Sequence, residues 1–544
     1  MRKLKKLISF PLILSLLLTA CGGAGSAPAQ TTGQDAAAQA AAGEAGAGEA
    51  GAGESEEVFK PAIPDEPYEA VDYSLYPSPE GGYVGDVMPY VTDEGELELY
   101  YLYDTDVNGQ GYHPIYKYST QDLSGYEDHG MVLDYGKMSD PDPALGTGSV
   151  MQDPSGLYHL FYTGHNDTGN GGKGKECVMH ATSTDRENWE KDENVLFFAP
   201  EGYSKDDFRD PEVFWVDKDQ CYWLLIAANE NTLGGVVLKY TSRDLKNWEF
   251  IGPIFAPLKQ YMCECPDLFQ IGDYWYITYS WDCVTYYAMS DSIDGPFVAP
   301  RDNILDGKGM TDGNGFIFYA GKTAEKDGTT YLCGWLGRAG VSSDSGIYQW
   351  AGNVMNHQLV QHEDGTLGVK APEPYESFFT ADKPFKAEMA VGEGKISGNN
   401  ITLTAEKGSY SVADMGTRPA SMTLECDVTI DEDGCAGFAF GGSEKDASYT
   451  ALCLDARQNL LHYEGYEISD LDSMEPQALT KFDFSRGGVH HVKLVCENEI
   501  VVLYVDDVKA LSSRITHSID GAHIGVFSNG CGASFENITM KLAE

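Results

Sequence analysis

Short aromatic and β-branched runs, separated by turn-forming polar residues, fill the middle of the chain and repeat one plan. A run of two or three aromatics is followed downstream by Ser or Thr, then Asp, then another aromatic. Leu99-Tyr100-Tyr101 leads to Ser119-Thr120-Gln121-Asp122 and Tyr126. Tyr158-His159-Leu160-Phe161-Tyr162 leads to Ser183-Thr184-Asp185 and Trp189, and Cys221-Tyr222-Trp223-Leu224 to Ser242-Arg243-Asp244 and Trp248. Tyr274-Trp275-Tyr276-Ile277 leads to Ser290-Asp291 and Phe297, and a fifth run, Thr330-Tyr331-Leu332-Cys333-Gly334-Trp335, follows. Short strands repeated at this period predict the blades of a β-propeller, five of them, over residues 59–372. Asp122, Asp185, Asp244 and Asp291 recur in phase and read as turn formers.

Beyond a linker at 373–385 the plan changes. Ile401-Thr402-Leu403-Thr404, Gly437-Phe438-Ala439-Phe440, His491-Val492-Lys493-Leu494-Val495 and Ile500 to Val505 predict an antiparallel β-sandwich over 386–544. The fold class is therefore all-β, a propeller followed by a sandwich. The N-terminus carries an address. Arg2, Lys3, Lys5 and Lys6 precede an apolar stretch, Leu7 to Leu18, too short to span a bilayer. Leu18-Thr19-Ala20-Cys21 then resembles a bacterial lipobox, with Cys21 as the lipidated residue closing a signal peptide at 1–21. Residues 22–58, rich in Gly, Ala and Glu, cannot bury enough apolar surface to fold and predict a flexible tether. Together these imply a lipid anchor on the outer side of the bacterial cell membrane.

Charge narrows the partners. The 544 residues carry 84 Asp and Glu against 37 Lys and Arg, a net charge of −47. That excludes a general nucleic-acid or anionic-membrane binder, which needs a positive footprint, and suits a neutral ligand such as a carbohydrate. Of the 12 cysteines, eleven remain beside Cys21, an odd number at scattered spacing. No disulfide framework follows, and without a Cys-x-x-Cys pair no structural zinc site is expected.

Three acidic residues open three of the repeats. They are Asp86 in Gly85-Asp86-Val87-Met88-Pro89, Asp210 in Arg209-Asp210-Pro211 and Glu264 in Cys263-Glu264-Cys265-Pro266-Asp267. The innermost strand of each propeller blade lines the central channel, so these carboxyls converge on one mouth. Each motif alone is a plausible turn. In phase, they give the carboxyl pair that glycoside hydrolysis requires, with a third acid to hold sugar hydroxyls.

Arg209-Asp210-Pro211 and Glu264-Cys265-Pro266-Asp267-Leu268 resemble two signatures of glycoside hydrolase family 32, the invertase, inulinase and levanase family. Thr147-Gly148-Ser149, Leu160 to Gly164, Phe318 to Gly321, Gly334-Trp335 and Trp350-Ala351-Gly352 resemble further elements of it. In the first family motif, Trp-Met-Asn-Asp-Pro-Asn-Gly, Gly85 stands at the first Asn and Asp86 at the Asp. The resemblance implies a five-bladed propeller with a sandwich and a retaining release of fructosyl units from fructans or sucrose-type sugars. It makes Asp86 the nucleophile, Glu264 the acid/base and Asp210 the transition-state stabiliser. Arg209 would keep Asp210 or Asp86 ionised. Arg209, Ser149, Trp281, Trp335 and His165 are the candidate substrate contacts, with His113 a further possibility. No metal or cofactor is needed for this chemistry. Two other functions fit the same architecture, an arabinan- or xylan-cleaving propeller glycosidase and a non-catalytic surface glycan-binding lipoprotein.

Overall fold

The computed structural model describes residues 73–543, apart from 106–112, 193, 259, 310–314, 340–347, 432, 444–445, 474 and 516–521. The signal peptide with Cys21, the tether and the first residues of the expected propeller, up to 72, lie outside the described residues. Among the described residues no helix is long and apolar enough to cross a membrane.

The strands of the first half pair in five successive antiparallel units. Their first strands are Tyr83–Val91, Ala144–Gln152, Tyr203–Val216, Glu264–Ile271 and Phe318–Lys326. Each contacts the next, and the fifth contacts the first, so the five close into a ring. This is the propeller, closed without an exposed edge at its centre. The units at either end of the segment share one sheet through the single pairing of Val84 with Gly352. The aromatic runs are the second strands, and their side chains fill the spaces between units. Tyr100, Tyr162, Trp223, Tyr276 and Trp335 are all fully buried. Three of the four repeated aspartates act as turn formers. Asp185 Oδ1 accepts from the backbone N–H groups of Glu187 and Asn188, and Asp244 Oδ1 from those of Lys246 and Asn247. Asp122 does the same for Ser124.

The second half is a sandwich of two antiparallel sheets. One runs through Ala478–Lys481, Leu460–Glu467, Asp446–Asp455, Cys435–Ser443, His523–Asn529, Tyr410–Thr417 and Glu388–Val391. The other contains Asn400–Thr404, Gly532–Ala543, Ser421–Ile430, Val489–Glu497, Ile500–Val505 and Lys509–Arg514. The segment expected as a linker is built into this half. Tyr375–Phe378 forms one helical turn, Phe379–Asp382 pairs with Gly532–Ala543, and Tyr375 and Phe379 are buried. Eleven cysteines are free and buried.

Charged side chains join the halves. The Glu497 carboxylate accepts backbone N–H bonds from Ser74, Leu75 and Tyr76 at 2.8, 2.9 and 3.1 Å. Burial pushes its pKa up to about 7, against those three bonds, which pull it down. Arg514 donates to the carbonyl of Gly337 at 2.7 Å and to Asn353 Oδ1 at 2.5 Å. The chain before the first propeller strand is thus tied to the sandwich by the Glu497 carboxylate and by Glu499, which accepts from the Tyr73 hydroxyl at 2.8 and 2.7 Å. Glu497→Ala strands three buried donors and is expected to cost about 2–3 kcal/mol. Thermal unfolding of the whole chain should show it as a Tm several degrees lower, and an unchanged Tm would refute the tie.

Candidate active site

Each of the five first strands breaks its pairing with a β-bulge at a corresponding point. The breaks fall between Val84 and Val87, Gly146 and Gly148, Arg209 and Glu212, Glu264 and Asp267, and Tyr319 and Lys322. A bulge turns its residues off the ladder and re-aims their side chains. Asp86, Thr147 and Asp210 sit inside three of them, and Glu264 begins a fourth. Asp210 and Cys265, each before a proline, and Ala320 hold left-handed backbone at φ 64°, 48° and 55°. Such conformations cost about 1–3 kcal/mol each for non-glycine residues. The ring therefore carries local strain where the acidic side chains are displayed.

The bulges bring the three carboxyls together. Asp86 Oδ1 accepts from Trp335 Nε1 and Oδ2 from Thr147 Oγ1, both at 2.9 Å. The Asp210 N–H donates to Thr163 Oγ1 at 2.8 Å, and Thr163 Oγ1 in turn donates to the Thr147 carbonyl at 3.0 Å. Asp210 Oδ2 accepts from the N–H of Cys265, the residue after Glu264, at 2.9 Å. Glu264 Oε1 takes Arg209 Nη2 at 2.7 Å, and Oε2 accepts a short bond from the Tyr319 hydroxyl. Asp210 is only 3% exposed, whereas Asp86 and Glu264 keep part of their surface open.

Electrostatics follow from this crowding. Burial raises the Asp86 pKa to about 6; the Trp335 hydrogen bond opposes the rise and nearby Glu264 adds to it. Burial raises Asp210 to about 7, offset by Arg209 and reinforced by Glu264 and Asp86. Like charges this close disfavour full ionisation.

The other sequence candidates divide. Arg209 is in the site, but its hydrogen bonds go to Glu176, at 3.1 Å to both oxygens, and to Glu264 rather than to Asp86 or Asp210. Trp335 is fully buried and holds Asp86, so it positions a carboxyl and presents no open face. Ser149 is 5% exposed and its Oγ accepts from the Val213 N–H, tying two neighbouring first strands; it does not face a ligand. His165 stands behind Arg209, with Nδ1 3.5 Å from Glu176 Oε1. Trp281 is partly exposed and lies 5.4 Å from the ring of Tyr261, whose hydroxyl donates to Asp207. His113 is buried against Trp350, with ring centroids 4.7 Å apart. Glu176, Thr147, Thr163, Tyr261 and Tyr319 were not singled out by sequence. Thr147, Thr163 and Tyr319 lie within the motifs quoted from the sequence, and that is the one available signal.

Gly85 has a structural cause. A Cβ there would sit 2.4 Å from Cη2 of Trp350. The Trp350 ring therefore occupies the space that an asparagine at this position would claim. Gly85→Asn is expected to lower kcat/KM at least tenfold, with Trp350→Ala in the same chain recovering part of the loss. Steady-state kinetics on the single and double variants checks this, and additive losses would rule out the steric trade.

Comparisons with known proteins give the family and the fold. The profile described as "Glycosyl hydrolases family 32 N-terminal domain" matches residues 77–369. A levanbiose-producing levanase of Bacillus subtilis (strain 168) is 23% identical over 491 residues, covering 82% of this chain and 86% of the levanase. A sucrose-6-phosphate hydrolase of Vibrio alginolyticus is 27% identical over 317 residues, covering 55% of this chain and 63% of that enzyme. The crystal structure of fructan 1-exohydrolase IIa from Cichorium intybus shares the fold with a TM-score of 0.66 at 15% identity, covering 87% of this chain and 98% of that one. With its family profile spanning more than half of the sequence, the chain belongs to glycoside hydrolase family 32.

Proposed function

We propose that this protein is a retaining β-fructosidase that releases fructosyl units from fructans or sucrose-type oligosaccharides. The observation that carries the reading is the convergence of Asp86, Asp210 and Glu264 on one side of the strand ring. The similar levanase and fructan exohydrolase, named for fructan chemistry, support the substrate class. A net charge of −47 is compatible with a neutral sugar.

Asp86 attacks the anomeric carbon of the fructosyl unit as the bond to the leaving oxygen breaks. Glu264 delivers a proton to that oxygen. Water then enters, Glu264 takes its proton, and the bond to Asp86 is cleaved. Trp335 and Thr147 aim the Asp86 carboxylate; Arg209 and Tyr319 fix the Glu264 carboxyl from both oxygens. Asp210 holds sugar hydroxyls and stabilises the developing positive charge. Tyr261 and Trp281 offer aromatic faces beside Arg209 for further sugar units.

Asp86→Asn and Glu264→Gln are each expected to cut fructose release from sucrose, inulin or levan by at least a thousandfold while the protein stays folded. Full turnover in either variant would sink the assignment. Asp86 acts as the anion, so the acid limb of kcat/KM should centre near pH 6, not near 4. The sign for stability is the reverse. A carboxyl whose pKa is raised by folding loses stability as pH climbs from its unfolded value towards 6. Asp86→Asn should therefore raise Tm more at pH 8 than at pH 5.

The membrane anchor belongs to the same proposal. It rests on the basic start, the apolar stretch and Cys21. The tether would hold the enzyme off the outer face of the membrane. Cys21→Ser is expected to release activity from the membrane fraction to the soluble fraction; activity that stays membrane-bound would rule out lipidation at Cys21.

A further inference from the structure

Far along the chain from the carboxyl cluster, three soft donors meet inside the sandwich. Cys435 begins the strand Cys435–Ser443, Cys453 lies in Asp446–Asp455, and His462 in Leu460–Glu467. These strands are neighbours in one sheet. Cys453 is opposite Gly437 on one side and opposite His462 on the other. With strand period two, Cys435 falls on the same face as Gly437, so all three side chains share a face. One donor atom from each residue lies within 4.8 Å of the others.

All three are buried, at 0, 0 and 1% exposure. Val412, Ala439, Ala451, Phe527, Ile468 and Leu471 pack with the cysteines into one apolar cluster. Neither ring nitrogen of His462 makes a hydrogen bond of good geometry, although Nε2 lies 3.5 Å from Asp455 Oδ2, and Glu464 Oε2 has no partner. Glu464 Oε1 lies 3.0 Å from His462 Nδ1. Asp455, which faces Nε2, also binds Arg457, at 3.0 Å to one oxygen and 2.8 Å to the other. Buried polar groups without well-formed hydrogen bonds are costly, and native interiors rarely leave them so.

We propose that Cys435, Cys453 and His462 form a structural zinc site. Two sulfurs and an imidazole are three of the four donors that a structural zinc site takes, and Asp455 Oδ2, 3.5 Å from His462 Nε2, stands where the fourth is needed; zinc's lack of redox chemistry suits a buried thiolate pair. Tetrahedral zinc holds S and N donors about 3.5–3.8 Å apart, so the observed cluster needs only a small contraction. His462 Nε2 binds the ion, and Nδ1–H then donates to Glu464, which fixes the ring as carboxylates commonly do behind zinc-bound histidines. Both thiols give up their protons as the ion enters. The ion would cross-link three adjacent strands of the sheet. It lies outside the proposed fructosidase chemistry and acts only on the fold.

The test uses the whole chain, purified anaerobically without a metal-affinity tag from zinc-supplemented medium. Elemental analysis is expected to give one zinc per chain. Replacement by Co²⁺ should produce thiolate-to-cobalt charge-transfer absorption. Cys435→Ser and Cys453→Ser should each lose at least nine-tenths of the bound zinc, and a strong chelator should lower the parent's Tm by several degrees. Fructose release measured on the same samples at low temperature should stay within twofold of the parent, so failure of the zinc reading and of the fructosidase reading are distinct. Should both serine variants fail to fold, His462→Gln and the cobalt spectrum of the parent decide. The proposal is overturned if the parent neither carries zinc nor takes up Co²⁺. It is also overturned if folded variants retain as much zinc as the parent, or if peptide mapping finds Cys435 and Cys453 joined in a disulfide.

Discussion

The Arg209 guanidinium, buried between Glu176 and Glu264, is the contact on which the candidate site depends. Asp86, Asp210, Glu264, Glu176 and Asp207 crowd one region of the ring, and Arg209 reaches three of the neighbouring carboxylates. A second cation, Lys322, is 1% exposed, paired with Glu212, and donates to the Gly148 carbonyl at 2.7 Å. Two buried cations do not balance this many carboxyls. Burial, reinforced by the neighbouring carboxylates, raises Asp86, Asp210 and Glu212 to about 6 to 7.

The same ring shows why strand geometry and chemistry cannot be separated here. A regular pleat would send successive side chains alternately to the channel and away from it. The bulges interrupt that alternation at one level in all five first strands and turn Asp86, Thr147 and Asp210 off the regular ladder. Left-handed backbone at Asp210 and Cys265 is strained, and the Asp210–Cys265 and Asp210–Thr163 bonds hold it in place. The strain and the hydrogen bonds that offset it lie on the same few residues.

Much of this was legible in the sequence. The phased aspartates and aromatic runs predict the repeat because turn formation and inter-unit packing are local demands, met by residue type. Asp86, Asp210 and Glu264 are legible for the same reason, each fixed to the start of its repeat. What is not legible is partnership across the ring. Trp335 looks like an open aromatic but donates its N–H to a carboxylate far earlier in the chain. Ser149 looks like a ligand contact but ties two strands. Nothing local marks Glu176 as the second carboxylate on Arg209. The cluster of Cys435, Cys453 and His462 fails the usual Cys-x-x-Cys test for a different reason: sheet register, not sequence spacing, brings the donors together.

The sandwich bears on the site through one strand. Arg514 of the sandwich donates to the carbonyls of Leu336 and Gly337 and to Asn353, and Asn353 donates to the Tyr76 carbonyl. Leu336 follows Trp335, and Leu336 pairs with Asn353 across the ladder. Trp335 Nε1 is in turn a donor to Asp86. His357, on the strand that carries Asn353, reaches Asp306 and Tyr504, while Asp306 accepts from Ser512. Hydrogen bonds and one ladder pairing thus run from the Arg514 side chain to the strand that carries Trp335, and the named sandwich residues brace that strand without contributing a side chain to the carboxyl cluster.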